Sequence, residues 1–211
     1  MWSSVANKNG PVQVFPSYAA YLFIAETLGG SKSLRIANLY PGKQPNGSTI
    51  TTALGDKSSG QLVAYGIWDT SLSSPESYPA KITLLNLEIF NQTQKGPRPA
   101  AQFNISAFRR GQSSLHIRRL QAPGADIKLG KLTTWAGQTF ESGMPAGKLV
   151  EEVLNGDIVT VAASEAALIS QARYMFQANT SGTIQNPCPW GIPLPVLATI
   201  IWSASAWWIV G

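Results

Sequence analysis

The side chains of this chain that could perform acid–base chemistry are eleven carboxylates, and their positions favour structural roles. Glu26 lies in a predicted helix. Glu151 and Glu152 are neighbours on a predicted strand, so they face opposite sides of it. Three others lie in turn-like contexts: Asp126, Glu141 and Asp157. General acid–base catalysis requires groups that reach one reacting atom. The spacing therefore predicts solvated or structural carboxylates.

The single histidine and the single cysteine argue against two further kinds of site. His116 lies in the middle of a predicted strand, and the sequence has no Gly-x-Ser-x-Gly motif, so a Ser-His-Asp hydrolase is unsupported. One histidine and one cysteine, Cys188, cannot supply the ligand spacing of a zinc site. Glycine patterns that bind nucleotides are also absent. We predict no metal ion and no cofactor.

Glu165 is the carboxylate with the most informative context. It follows the apolar run of residues 158–164, which predicts a buried position. A buried carboxylate needs hydrogen bonds or a charged partner. Arg118 or Arg119 could supply one through a bidentate contact. The expected role is structural pairing.

The elements that must position these side chains begin with a helix at residues 16–28. Pro16 suits a first helical turn, Ser17 is a candidate cap, and glycines end the helix at positions 29 and 30. Five residues follow the spacing of one helical face and predict the side that packs: Tyr18, Tyr21, Leu22, Ala25 and Leu28.

Residues 34–170 contain short alternating apolar segments separated by turn signals. This pattern predicts an all-β domain, an antiparallel β-sandwich of about eight strands. Trp135 precedes Ala136 and Gly137, small residues that allow a neighbouring strand to approach closely. We therefore expect Trp135 to be buried near the sandwich core.

The C-terminal region differs in composition from the rest of the chain. Residues 174–211 carry no charge, and small polar residues around Ser181 precede a spacer and an apolar tail. This order is typical of a GPI-attachment signal. A transmembrane anchor and an unstructured terminus are the alternatives.

The net charge and the N-glycosylation triplets indicate possible partners and the cellular location of the protein. The net charge is +5, but Arg118 and Arg119 cannot share one face of a strand, so a nucleic-acid surface is not expected. Four Asn-x-Ser/Thr triplets favour the secretory pathway: Asn46, Asn91, Asn104 and Asn179. No apolar leader follows Met1. We expect an extracellular or cell-surface protein that is the C-terminal part of a larger one.

Four groups of residues together resemble a known domain: Arg118-Arg119-Leu120, Ala122-Pro123-Gly124-Ala125, Trp135-Ala136-Gly137-Gln138 and Ser164-Glu165-Ala166. Their order resembles the C-terminal β-domain of glycoside hydrolase family 79, the β-glucuronidase and heparanase-like enzymes. The resemblance implies that the two catalytic glutamates belong to a (β/α)8 barrel earlier in the chain, which this sequence lacks. It implies an accessory domain that is inactive alone.

The resemblance also divides the chain. Residues 1–30 would be the end of the barrel with its last helix, and 31–172 the β-sandwich; 173–190 would be a linker, and 191–211 the apolar tail. The implied partner is the catalytic barrel, through which glucuronide-containing glycans would be bound. Family members recognise the glucuronate carboxylate with aromatic side chains at the barrel rim, and Tyr18 is the candidate here. A packed helix tyrosine is the other interpretation.

A second class of function remains open, a self-standing carbohydrate-binding or adhesion module on a cell surface. Such a module needs exposed, coplanar aromatic side chains. Four residues are candidates: Tyr40, Tyr65, Trp68 and Trp135.

Overall fold

The computed structural model describes residues 14–40, 51–52, 61–71, 78–109, 114–141 and 143–171. By its internal contacts the chain divides into residues 1–175 and residues 176–211. The predictions for Asn46, Asn179, Ser181, Cys188 and the apolar tail lie outside the described residues. No helix within the described ranges is both long enough and apolar enough to cross a membrane.

Two antiparallel sheets and one main helix make up the described fold. Helix α1 (Ser17–Leu28) comes first. The larger sheet has seven strands: β1 (Leu34–Tyr40), β3 (Leu62–Asp69), β4 (Lys81–Asn86), β10 (Glu165–Gln171), β6 (Leu115–Gln121) and β7 (Thr134–Trp135) in spatial order, with β8 (Glu152–Val153) also pairing β6. The smaller sheet has the order β2 (Thr51–Thr52), β5 (Ala100–Asn104) and β9 (Ile158–Ala162). A short helix α2 (Ser106–Arg109) and a 3₁₀ turn (Gly130–Leu132) complete it.

This architecture confirms the predicted antiparallel sandwich preceded by a helix. Of the ten strands in the described residues, β2, β7 and β8 are two-residue segments, and the seven longer strands come close to the expected number of about eight. A two-residue strand shows no alternation, so the sequence pattern cannot reveal it.

The main core lies between the two sheets. In β4 and β10 at the centre of the larger sheet, Leu84 and Ala167 point towards the smaller sheet. Phe103, Val159 and Val161 meet them from β5 and β9, and all five are fully buried. Burying one such large apolar side chain contributes about 1.5–3 kcal/mol. This layer accounts for the alternation that the sequence shows.

A second core lies on the opposite face of the larger sheet, beneath α1. Ala19 and Phe23 from the helix pack there against Trp135, Ala166 and Leu168. The Phe23 and Trp135 rings meet edge to face, with their centroids 5.4 Å apart. Trp135 is therefore buried as predicted. Its contacts belong to the layer between helix and sheet rather than to the layer between the two sheets.

A tight turn holds Trp135 in place. Trp135 and Gln138 exchange two backbone hydrogen bonds of 3.0 Å across Ala136 and Gly137, whose φ angles are 49° and 77°. Two positive φ values are the signature of a type I′ hairpin turn. A Cβ added at Gly137 would lie 2.5 Å from Val150 Cγ2, so the chain approaches this glycine closely, but from the segment before β8 and not from a neighbouring strand as expected.

Two details of the helix prediction are wrong. Pro16 occupies the N-cap position and no side-chain cap bond forms, so Ser17 does not cap the helix. The buried positions of α1 are Ala19, Phe23, Glu26 and Thr27. The predicted packing face is instead largely exposed: Tyr18, Tyr21, Ala25 and Leu28, with Leu22 half-buried. The interactions of Glu26 supply the physical reason.

Candidate functional site: a buried charge layer and the outward face of the helix

A group of charged side chains lies between the last turn of α1 and the larger sheet, beside the second core. We call the group Glu26, Lys81, His116, Arg118 and Glu151 the charge layer. The alternation of β6 places His116 and Arg118 on the side of the helix, while Ile117 between them points into the main core. Glu26 meets them from the last turn of α1.

Arg118 is the centre of the charge layer. Its Nη1 donates to Glu26 Oε1 at 2.5 Å, and its Nη2 and Nε donate to Glu151 Oε2 at 2.8 and 3.0 Å. The Arg118 and Glu26 side chains are only 5% and 8% exposed. Charges this deeply buried persist only when they are paired and hydrogen-bonded.

Glu26 is held by two further contacts. Its second carboxylate oxygen accepts a 3.0 Å hydrogen bond from Trp135 Nε1. Lys81 Nζ donates to the backbone carbonyls of Glu26 and Gly29, the latter at 2.7 Å. Lys81 thus satisfies carbonyls at the C-terminal end of α1, which lack partners inside the helix.

Burial dominates the electrostatics of this layer. Desolvation raises the pKa of Glu26, and the nearby Arg118, the Trp135 N–H and Lys81 offset this only in part. Desolvation lowers the pKa of Lys81, which Glu26 opposes. Both directions show that the pairing does not fully compensate the loss of hydration.

The layer ends at His116, beside the more exposed Glu151. His116 Nδ1 lies 2.7 Å from Glu151 Oε1, a distance that forms an ion pair when the imidazole is protonated. Glu151 is the most exposed of the four linked groups. A continuous line of contacts therefore runs from Glu26 through Arg118 and Glu151 to His116.

The expected partner of Glu165 is wrong. Glu165 Oε1 pairs with Arg98 Nη1 at 3.2 Å, not with Arg118 or Arg119. The strand register explains the difference, because β10 places Ala167 and Leu168, not Glu165, beside Arg119 and Arg118. Arg98 comes from the loop before β5 and lies too far away in sequence for local spacing to indicate it.

Arg119 lies on the other side of β6 from Arg118, as strand alternation predicts. Its Nε and Nη2 contact the two carboxylate oxygens of Glu152 at 2.8 and 3.2 Å. Its Nη1 donates to the Thr160 carbonyl at 2.8 Å. Because Thr160 belongs to β9, this arginine links the two sheets.

The remaining site candidates lie apart from the charge layer. Tyr18 lies at the start of α1, partly exposed, with its ring centroid 5.7 Å from that of Phe140. Asn91 begins a turn, and Asn104 ends β5 with its side-chain oxygen bonded to the Ser106 N–H. Substrate contact and glycosylation at these positions stay predictions. Across the described ranges, no cluster of three or more His, Cys, Asp or Glu could hold a metal ion.

Sequence reasoning missed Glu26, Lys81 and Glu151 as partners. One signal was available for Glu26, since it is the only charged residue in α1. A lone carboxylate in an apolar helix indicates either a solvent-facing position or a buried partner. The helical spacing of the apolar residues favoured a solvent-facing position for Glu26.

The helix presents further apolar side chains to solvent, outside its buried contact with the sheet. Tyr21, Ile24 and Leu28 are 48%, 48% and 41% exposed. Ile36 of β1 and Tyr65 of β3 continue this surface. We call these five residues the outward face. It borders a groove of about 330 Å³ lined by Phe23, Ile24, Thr27, Leu28, Ile36, Tyr65, Ile67, Thr83 and Leu85.

The two tryptophans proposed for an exposed aromatic binding surface do not form one. Trp68 and Trp135 are both buried. The guanidinium of Arg35 lies 4.4 Å from the centre of the Trp68 ring and covers it. Of the four candidates, Tyr65 alone is exposed, and it belongs to the outward face.

Comparison with known proteins gives a family match. Residues 64–168 match the model of the glycosyl hydrolase family 79 C-terminal beta domain. No curated protein matches the chain. Among solved structures, a 4-O-α-L-rhamnosyl-β-D-glucuronidase from Fusarium oxysporum 12S, in its Rha-GlcA complex, is 27% identical with a TM-score of 0.43. That match covers 57% of this chain and 25% of the Fusarium protein, so the chain spans about a quarter of its length.

Proposed function

Because this chain carries the C-terminal β domain of glycosyl hydrolase family 79, we propose that it is the accessory β-sandwich of a β-glucuronidase-like enzyme. Its partner is the catalytic (β/α)8 barrel of that enzyme, which binds the glucuronide-containing glycan. The domain comprises residues 31–172, and α1 within residues 1–30 is the last element of the barrel. Its role is to pack on the barrel and stabilise it.

The outward face of α1 is the observation that carries this proposal. A helix with apolar side chains on all sides is typical of a buried helix. Here the sheet covers part of the helix surface, whereas Tyr21, Ile24 and Leu28 remain exposed. Exposed contiguous apolar surface of this kind marks an interaction site. A barrel packed on this side would complete the burial of α1.

Location and modification follow from the same proposal. The protein acts outside the cell or at its surface, with Asn46, Asn91, Asn104 and Asn179 as glycan acceptors and Ser181 as the lipid-attachment residue. The sequons and the charge-free tail support this. Release from cells by a phosphatidylinositol-specific phospholipase is expected; retention with an intact tail would indicate a transmembrane anchor.

Binding to a separately expressed family 79 barrel tests the proposed partner. Ile24→Glu should abolish binding, because it places a charge in the apolar contact. Ile89→Glu is the matched control, since Ile89 is 71% exposed in the loop after β4 and is not among the groove residues. We expect the control to bind like the unmodified chain.

Two results would contradict the proposed partner. One is equal binding by both glutamate variants, which would place the contact elsewhere. The other is binding of soluble glycan, but not of the barrel, by the isolated chain, which would favour the self-standing module.

A further inference from the structure

Helix α1 can bury an apolar surface in more than one rotational position. Phe23 and Ala19 are buried against the sheet, but Tyr21, Ile24 and Leu28, which are exposed, offer a surface that is at least as apolar. Hydrophobic burial has no preferred direction. Apolar composition alone therefore does not select the side of the helix that packs.

The side that does pack is the more polar one. Glu26 and Thr27 lie on it, and Glu26 is the only charged residue of α1. Two strands hold the Glu26 carboxylate, through Arg118 on β6 and Trp135 on β7. Lys81 on β4 holds the backbone of the same helical turn.

These contacts are directional. Successive residues of a helix are about 100° apart around its axis. Turning α1 by one residue would withdraw the Glu26 carboxylate from both of its donors. Arg118 and Glu26 would then be buried without each other, an arrangement that proteins avoid. The observed rotation is the one that satisfies both donors.

Net stabilisation is a poor explanation for this arrangement. The desolvation that raises the pKa of Glu26 outweighs the attraction of its partners. Apolar replacements of buried ion pairs are often neutral or stabilising, and the best-attested use of such pairs is to fix a register.

We propose that Glu26, held by Arg118 and Trp135, fixes the rotational register of α1 and thereby selects the face that the helix offers to a partner. The register itself rests on the geometry of this chain. Its consequence for docking rests on the proposed function.

Chemical cross-linking of the full chain, in a Cys188→Ser background, tests the register. One cysteine replaces Ile36 and the second replaces either Ile24 or Ala25. Ile24 lines the groove with Ile36, whereas Ala25 is exposed and is not among the groove residues. With a short bismaleimide we expect about a tenfold preference for the 24–36 pair, corresponding to roughly 1.4 kcal/mol.

The variant Glu26→Leu/Arg118→Met removes the directional contacts. We expect the preference for the 24–36 pair to fall to about twofold or less, with the β-sheet content retained. A folded double variant that keeps the tenfold preference would show that apolar packing sets the register, and the proposal would be wrong.

A milder variant keeps the test valid if the double variant does not fold. Glu26→Gln has one amide oxygen and cannot accept from Arg118 and Trp135 as the two carboxylate oxygens do. The preference of this variant for cross-linking the 24–36 pair should fall about threefold or more. Glu165→Gln, whose pairing with Arg98 does not involve α1, is the control and should leave the preference unchanged.

Two further outcomes would overturn the register proposal: an unchanged preference in Glu26→Gln, or an equal loss in Glu165→Gln. The cross-linking requires no barrel. Failure to bind a barrel would therefore count against the proposed function and leave the register result intact.

Discussion

At the scale of single residues, two glycines with the same φ angle have different surroundings. Gly137 and Gly143 both have φ of 77°. A Cβ at Gly137 would lie 2.5 Å from Val150 Cγ2, whereas one at Gly143 would have nothing within 4 Å. Alanine variants of these two glycines therefore separate the cost of an unfavourable φ angle from the cost of a steric clash.

We expect Gly143→Ala to lower the free energy of unfolding by about 1–2 kcal/mol, the cost of the left-handed conformation for a residue with a Cβ. Gly137→Ala should cost about 1–3 kcal/mol more, because overpacking adds to the same backbone cost. Urea denaturation of both variants measures the difference. Equal losses would mean that Val150 moves aside freely.

A second prediction at the residue scale concerns the ionisation of Glu26. Because burial raises the pKa of Glu26 above its ordinary 4.5, the folded state binds this proton more tightly than the unfolded state. The stability from Glu26 is therefore fully present below pH 4.5 and is lost as the pH rises through the folded-state pKa.

Glu26→Gln removes that titration. We expect the free energy of unfolding of the unmodified chain, minus that of the variant, to decrease as the pH rises from 4.5 towards neutrality. Denaturant titrations at a series of pH values measure the difference. A difference that increases over this range would show that Arg118 outweighs the desolvation of Glu26.

At the scale of elements, α1 and β6 are coupled through one ion pair. Removing one partner leaves the other charge buried, so Arg118→Met alone should lower the free energy of unfolding by about 3–5 kcal/mol. Adding Glu26→Gln removes the orphaned charge and lets the amide oxygen accept from Trp135 Nε1. The double variant should therefore recover most of the loss.

A double-mutant cycle measures this coupling. Residues in contact commonly show interaction energies of about 0.5–3 kcal/mol. Additive losses would contradict a direct interaction between Glu26 and Arg118. Arg119→Met is a useful comparison, because its carboxylate partner Glu152 is exposed and is not orphaned in the interior.

At the scale of the whole molecule, the proposed division of labour predicts an inactive chain. Retaining glycoside hydrolysis needs two carboxyl groups about 5–5.5 Å apart on either side of the bond. Glu26, Glu151 and Glu165 are instead engaged with arginines, and Glu151 also contacts His116. Purified protein incubated with an aryl β-glucuronide should match the buffer blank. Turnover that is lost on Glu165→Gln would contradict both the accessory role and the structural role of Glu165.

The sequence by itself determined the antiparallel architecture, the position of α1 and the likeness to family 79. Alternation in strands such as β6 and β9 is a local property, and so are the proline and glycines that bound the helix. Trp135 could be predicted as buried because the small residues after it are adjacent in sequence. The family likeness likewise depended on short motifs that can be read without coordinates.

Only the tertiary structure decided which face of α1 packs and which residue pairs with Glu165. Glu26 is 92 residues from Arg118 and 109 from Trp135, so no local pattern relates them. The helical spacing of apolar residues predicted that the side of α1 with Tyr21 and Leu28 packs inward. Such a prediction considers only apolar residues. It contains no information about a buried arginine that requires a carboxylate. The strand register, which sets Leu168 beside Arg118 and leaves Glu165 to Arg98, is likewise fixed by packing between distant segments.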